Sequence, residues 1–438
     1  MKEEYTQFIS ESSQRLADLL LAELPKDELK QVQFSDQAAA LILREIGQAA
    51  MRALFARLSE QVTQAAKSEG YKIERRPVIR IEVLFGAIEF PSPYLRNATG
   101  HGTRPVFDRL KVKHASRTPA VERALTDFGV EESFAQASVR FHEHYGFEIG
   151  SSTLCREVEA VGAEAESYLT ERIEAARQDY EVPLRQRRGV AELLVELDGC
   201  EIRTVLCSSE RETLTGELKR QRKTEWKEVR VGLAGRIGSS ARSYVAKLSS
   251  YPEICGDLFS AAISEGLSPR TLVVAVADGG QGLMEELQVH FPKLQFILDK
   301  PHLSSHLYET AEALGFGERQ RASWVEELLQ RISGGKVQSV IAEFLRKRTR
   351  CQRLRRLTGY LQRFQAAVFY DEYLAKGYPI GSGEVESAHR YIPQKRLKIA
   401  GASWLPKTVN QMLALRVIRA NGWWEDFWKQ RQVAFLAH

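Results

Sequence analysis

The sequence predicts a mixed α/β sheet domain, interrupted by an all-helical stretch and preceded by helical regions. Three observations carry this. Apolar, strand-like runs end in aspartate one after another: "AELLVELDG" at 191–199, "TLVVAVADGGQGL" at 271–283, and "LQFILDKPH", whose aspartate is residue 299. A helical run, "ICGDLFSAAISEGL", separates the first two, so strands and helices alternate. From about 303 to 376 the apolar spacing is wholly helical, with a break at Gly334-Gly335.

Taken in order, residues 5–70 carry helical spacing with a break near Pro25. Residues 78–95 switch to β-branched alternation around Gly86, which reads as a hairpin or small sheet and marks a boundary near 72. Residues 118–161 read as consecutive short helices. Ala135, Ala137, Gly146, Ile149 and the "SST" leading to Arg156 fit a helix-turn-helix, and fit a plain helical hairpin equally well. The second helix of that pair is expected to begin near Ser152, capped by its hydroxyl, and to continue as a connector over 155–180.

After Pro183, "AELLVELDG" and "EIRTVLC" read as two successive strands, with "WKEVRVGLAGRI" and "SYVAKLS" as further ones. The expected divisions are 1–71 (helical), 72–117 (β-containing), 118–185 (helix-turn-helix-like region and connector), 186–302 (first part of the sheet domain), 303–376 (helical insertion) and 377–438 (its last part and tail).

A chain of 438 residues, 43% apolar and 27% charged, suits about two to four globular domains. It holds no apolar run of membrane-spanning length, and "MKEEYTQFISESS" is not a signal peptide, so a cytoplasmic, nucleoid-associated bacterial protein with no membrane partner is expected. The five cysteines (155, 200, 207, 255, 351) form no CxxC pair, which argues against a disulfide framework and a zinc ribbon.

The net charge of +5 is mild, but its distribution is not. "RKRTRCQRLRRLTGYLQR" at 346–363 carries eight Lys or Arg and no acid, and 387–424 carries seven more, again with no acid. A single charge run is usually a solvated helix face. Two acid-free runs point to a polyanion.

Asp198 and Asp278 each follow an apolar strand and precede a glycine. Singly, Asp-Gly is more often a turn. At the carboxyl ends of strands, however, α/β sheets place ligands, and two aspartates with a third carboxylate suit Mg²⁺ or Mn²⁺, as one ion or a pair. "YPIGSGEVESAHR" at 378–390 offers Glu384 and Glu386. With Ser382 as N-cap, the two glutamates point roughly 200° apart on a helix. Glu386 shares a face with His389 and Arg390, whereas Glu384 serves the positive helix start. Glu386 is the expected third carboxylate.

The same segment lacks the lysine of a P-loop and the first glycine of a GxSxG elbow. His302 and His306 have zinc-like spacing in "HLSSH" but lack the HExxH glutamate, and no zinc is expected. The tryptophans of "GWWEDFW" at 422–428 either pack a helix or stack on unpaired bases.

Together, "LDG", "VADGGQGL", "FILDKPHLSSHL" and "YPIGSGEVESAHRYIPQKRLKIAGASW" resemble DDE transposases of bacterial insertion sequences, the ISKra family above all and Mutator-like and hAT enzymes more distantly. The resemblance covers roughly 185–420. It implies a ribonuclease-H-like fold, a triad of Asp198, Asp278 and Glu386, and Asp299 and His302 close to it. His389 and Arg390 are expected near the site from the helix face they share with Glu386. The upstream "SPYLRNATGHGTRP" lacks the cysteine-rich element of some members, so no N-terminal zinc site is expected.

The implied reaction is metal-dependent cleavage at transposon ends, followed by transfer of the 3′-hydroxyl into target DNA. Double-stranded DNA (terminal inverted repeats and target) is the implied partner, and a homodimer or higher oligomer the implied assembly. DNA contacts are expected from Ser152, Thr153, Arg156, Arg346, Lys347, Arg348, Arg350, Lys395, Arg396, Lys398 and Trp404. The alternatives are a ribonuclease-H-like nuclease or resolvase that does not join, and a non-catalytic DNA-binding derivative, which the presence of all three carboxylates disfavours.

Overall fold

The computed structural model describes residues 2–24, 26–181, 189–212, 218–347 and 351–437. The expected break at Pro25 and the DNA contacts assigned to Arg348 and Arg350 fall outside them. The chain forms two compact units, Met1–Glu157 and Val158–His438.

In the first unit, α1 (Lys2–Glu23) and α2 (Glu28–Ser68) realise the helical N-terminal spacing. The strands β1 (Lys72–Arg75), β2 (Val78–Val83), β3 (Gly86–Pro91), β4 (Tyr94–Arg96) and β5 (Gly102–Thr103) follow, then α3 (Pro105–Leu110), α4 (Pro119–Glu131) and α5 (Phe134–Tyr145). β2 and β3 pair as the expected hairpin, and Gly86 takes the φ of +118° that a side chain would resist. Ile81, Val83, Ile88 and Phe90 form their core with Val106, against Phe55 of α2.

α5 ends at Gly146 in the left-handed region, and α6 (Ser151–Glu181) starts earlier than expected. Ser152 is therefore not the cap. It lies inside the first turn and exposed, where Gly150 C=O already accepts from Thr153 and Leu154. Arg156 is exposed too, its guanidinium folded back onto Ser152 C=O and Thr153 Oγ1.

The second unit is built on β6 (Glu192–Glu212), β7 (Leu218–Arg236), β8 (Ser243–Lys247), β9 (Leu272–Ala277) and β10 (Leu294–Leu298), with α7 (Tyr251–Ser264) and α8 (Leu283–His290) between them. The sheet order is β10-β9-β6-β7-β8. β6, β9 and β10 run parallel, while β7 is antiparallel to both neighbours. The runs "AELLVELDG" and "EIRTVLC" are one continuous strand, not two. β7 pairs with β6 on past Asp198, whose partner is Val231, so the Asp-Gly dipeptide makes no turn.

The expected helical stretch comprises α9 (Lys300–Ala313), α10 (Glu318–Ser333), α11 (Val337–Arg346), α12 (Gln352–Arg363) and α13 (Tyr370–Ala375). Leu354, Leu357 and Leu361 form the buried face of α12, which leaves Arg355 and Arg356 exposed. Beyond it lie α14 (Gly383–His389), a π-helical turn at Arg390–Gln394, α15 (Lys395–Leu397), α16 (Pro406–Ala420) and α17 (Trp424–Ala437). Phe427 and Trp428 are buried, which favours the packing reading of the tryptophan cluster. No described helix is long and apolar enough to cross a membrane.

Candidate active site

The parallel ladder ends in a single row: Leu197 is opposite Ala277, and Ala277 is opposite Leu298. The next residue on each strand is an aspartate, so Asp198, Asp278 and Asp299 stand side by side where the parallel pairing stops. This is the carboxyl-end crevice of an α/β sheet. Asp198 Oδ1 accepts its neighbour's Gly199 N–H at 2.8 Å, and Asp278 Oδ1 accepts Gly280 N–H at 3.1 Å. Burial, with the negative charge of Asp278 in the same sense, raises the pKa of Asp198.

Asp299 differs from its neighbours. It is fully buried, and both its oxygens are occupied. Oδ1 accepts His302 N–H at 2.8 Å and caps α9, while Oδ2 accepts Ser382 N–H at 2.7 Å and the Ser382 hydroxyl. Burial alone would raise its pKa, but the hydrogen bonds from His302 and Ser382 outweigh it and hold the carboxyl at about 2. The Asp299 carboxylate, 3.4 Å from His302 Nδ1, in turn pushes the imidazole up to about 9 and favours its protonated form, with Asp278 and Asp198 adding to the effect. Among the described residues, Asp299, His302 and Glu386 place ligating atoms within 4.8 Å of one another. His306 is not in that group; its ring stands edge-on to Tyr360 at 5.0 Å.

The two glutamates of α14 separate as their spacing requires. Glu386 joins His302 and Asp299. Glu384 is held by Arg242 through both oxygens, with Nη2 to Oε1 at 2.7 Å, a partner beyond the expected helix-start role. Ser382 occupies the N-cap position, but its hydroxyl is spent on Asp299 and caps nothing. The open N–H of Val385, third residue of the helix, is taken instead by Glu196 Oε2 at 2.8 Å. Glu196 is 1% exposed, and burial pushes it up to about 8. Sequence reasoning missed it. The one signal was a glutamate two residues before Asp198, on the same strand face, inside an otherwise apolar run.

His389 is buried with Nε2 3.4 Å from Asp198 Oδ2, and burial lowers it to about 4, so it is neutral. Arg390, Lys395 and Lys398 are exposed on the same segment. Arg396 and Trp404 are not, contrary to the expected DNA contacts. Arg396 is 2% exposed with its guanidinium over the Trp404 ring at 4.8 Å, and Trp404 is buried with its indole N–H on Leu397 C=O. Trp404 also pairs with β6: its N–H donates to Arg203 C=O at 3.1 Å, and its C=O accepts Val205 N–H at 2.8 Å. The edge of β6 that β9 leaves at Leu197 is thus taken up again at Thr204. In the other basic run, Arg346 and Lys347 are exposed, Lys347 paired with Glu343 at 2.9 Å.

No protein-family model matches the chain. No curated protein sequence matches it either. Among solved structures, the chain aligns with one titled "Drosophila P element transposase strand transfer complex" at 10% identity and a TM-score of 0.25, over 75% of this chain and 84% of that one. A likeness that loose fixes neither fold nor function.

Proposed function

We propose that the chain is a DDE-type transposase, a Mg²⁺- or Mn²⁺-dependent polynucleotidyl transferase that cleaves DNA at element ends and joins the freed 3′-hydroxyl to target DNA. The observation that carries this reading is the aspartate row at the ends of β6, β9 and β10, with Glu386 beside it. A five-stranded sheet of mixed sense, with the acids at the ends of its parallel strands, supports the ribonuclease-H-like reading.

The donor types suit a hard divalent ion, because Asp198, Asp278 and Glu386 offer carboxylate oxygens, although the ligating atoms found within 4.8 Å of one another among the described residues are those of Asp299, His302 and Glu386, not of that triad. Asp299 is a poorer donor: its oxygens already hold His302 and Ser382. When bound, the metal supplies a Lewis acid for phosphate oxygens and activates the attacking oxygen. The chain's own residues do the rest. Gly199 and Gly280 fix the two aspartates, Glu196 and Asp299 fix the start of α14, and the positive His302 faces incoming phosphate charge. Arg390, Lys395 and Lys398 neutralise backbone phosphates nearby.

Joining assays on pre-nicked terminal-repeat DNA test the proposal. Asp198→Ala, Asp278→Ala and Glu386→Ala should each abolish joining while leaving DNA binding intact. Joining by Glu386→Ala would sink it, and cutting without joining by the unmodified protein would favour the nuclease reading.

A further inference from the structure

The outer edge of β8 holds a second feature, two strands away from β6. Tyr244 N–H donates to Asn421 Oδ1 at 2.8 Å, and Tyr244 C=O accepts from Asn421 Nδ2 at 3.0 Å. Leu248 is met in the same way by Asn410, at 2.8 and 3.4 Å. Two side-chain carboxamides therefore stand in for the missing neighbour strand. In an antiparallel ladder, outward-facing residues alternate, so Ala246, midway between, also turns its N–H and C=O outward.

Where a third carboxamide would sit there is a cavity of about 580 Å³, bounded by α6, α7, α16 and β8. Leu169, Ile173, Ala261, Val417 and Trp423 give it apolar walls. Its cations are engaged: Arg172 lies over the Trp423 ring at 4.1 Å, and Lys247 pairs with Asp257 at 3.4 Å. The size and the apolar lining with a few convergent polar groups are those of small-molecule sites, roughly 300–1,000 Å³.

We infer that this cavity binds a small molecule bearing a carboxamide on an apolar, ring-sized body. The carboxamide completes the series set by Asn421 and Asn410, accepting from Ala246 N–H and donating to Ala246 C=O. A carboxylate cannot make the second bond, and it would face the carboxyl of Glu166 in the cavity wall. A long peptide strand has no room to pair, since the edge is sealed at Tyr244 and Leu248. Neither DNA nor metal takes part, so the inference stands apart from the proposed reaction.

Benzamide is the probe, with benzoate as control, followed by ligand-observed NMR titration of the full chain. Ala246→Pro deletes the outward N–H at an edge position where proline is tolerated. Thr170→Trp fills the cavity from an exposed position on α6. Saturable benzamide binding, weakened at least tenfold in both variants, with no saturable benzoate binding, is the expected result. Failure of benzamide to saturate, equal binding of benzoate, or undiminished binding by folded Thr170→Trp overturns the inference. If Ala246→Pro does not fold, Thr170→Trp decides alone.

Discussion

Glu196 reaches from β6 to accept the backbone N–H of Val385 at 2.8 Å, doing for α14 what its own N-cap serine does not. The strand that carries Asp198 thereby sets the position of the helix that carries Glu386. Glu196→Ala would leave a buried N–H unsatisfied, at a cost of about 1–3 kcal/mol. Glu196→Gln keeps an acceptor and should retain most of the stability. Thermal denaturation of the two variants side by side checks this, and equal melting temperatures would refute the capping role.

Glu384 and Glu386 should separate by readout. In calorimetric titration with Mn²⁺, Glu386→Gln is expected to weaken binding at least tenfold. Glu384→Gln should leave it within about twofold and act on stability instead. It loses the ion pair with Arg242, whose side chain is 7% exposed.

The residues of 390–404 expected to contact DNA divide in the same manner. Lys395→Ala and Lys398→Ala should each lower DNA affinity and reduce the salt slope by about one. Trp404→Ala should instead cost roughly 3–5 kcal/mol of folding stability, because it empties a buried aromatic site. Filter binding across a salt series, set beside denaturant unfolding, distinguishes the two classes.

Gly279 is a packing position. A Cβ there would lie 2.5 Å from the Phe364 ring and 2.6 Å from the Tyr360 ring, both on or at the end of α12. Gly279→Ala should destabilise by about 1–3 kcal/mol through overpacking, a fall that chemical denaturation would detect.

The order of strands and helices was legible because apolar runs of strand length alternate with helical spacing, and three of those runs close on aspartate. That Glu384 and Glu386 turn to different partners was legible from helix geometry alone; that Arg242 is the partner of Glu384 was not. Asp198-Gly199 misled because a turn dipeptide and the end of a neighbouring strand look the same in sequence. It is β9 that stops there, while β6 continues against β7. Arg396 and Trp404 misled because their type suggested phosphate and base contacts, whereas each buries the other. The role of Glu196 was not legible, because its partner is a backbone N–H far along the chain that no side-chain pattern records; its one trace was an acid inside an apolar run.

The double attachment of the Glu386 segment to β6 makes that strand a ruler. The segment is fastened at its start by Glu196 and at its end by the pairing of Trp404 around Thr204. Eight strand residues at about 3.3 Å each set the span at about 26 Å. Both anchors lie in the same phase of the strand's two-residue repeat. One residue inserted between Gly199 and Arg203 would turn one anchor to the wrong side, and two would keep the phase but stretch the span by about 7 Å. The reach of the segment from Val385 to Trp404 is in this sense matched to the length of a strand to which it does not belong.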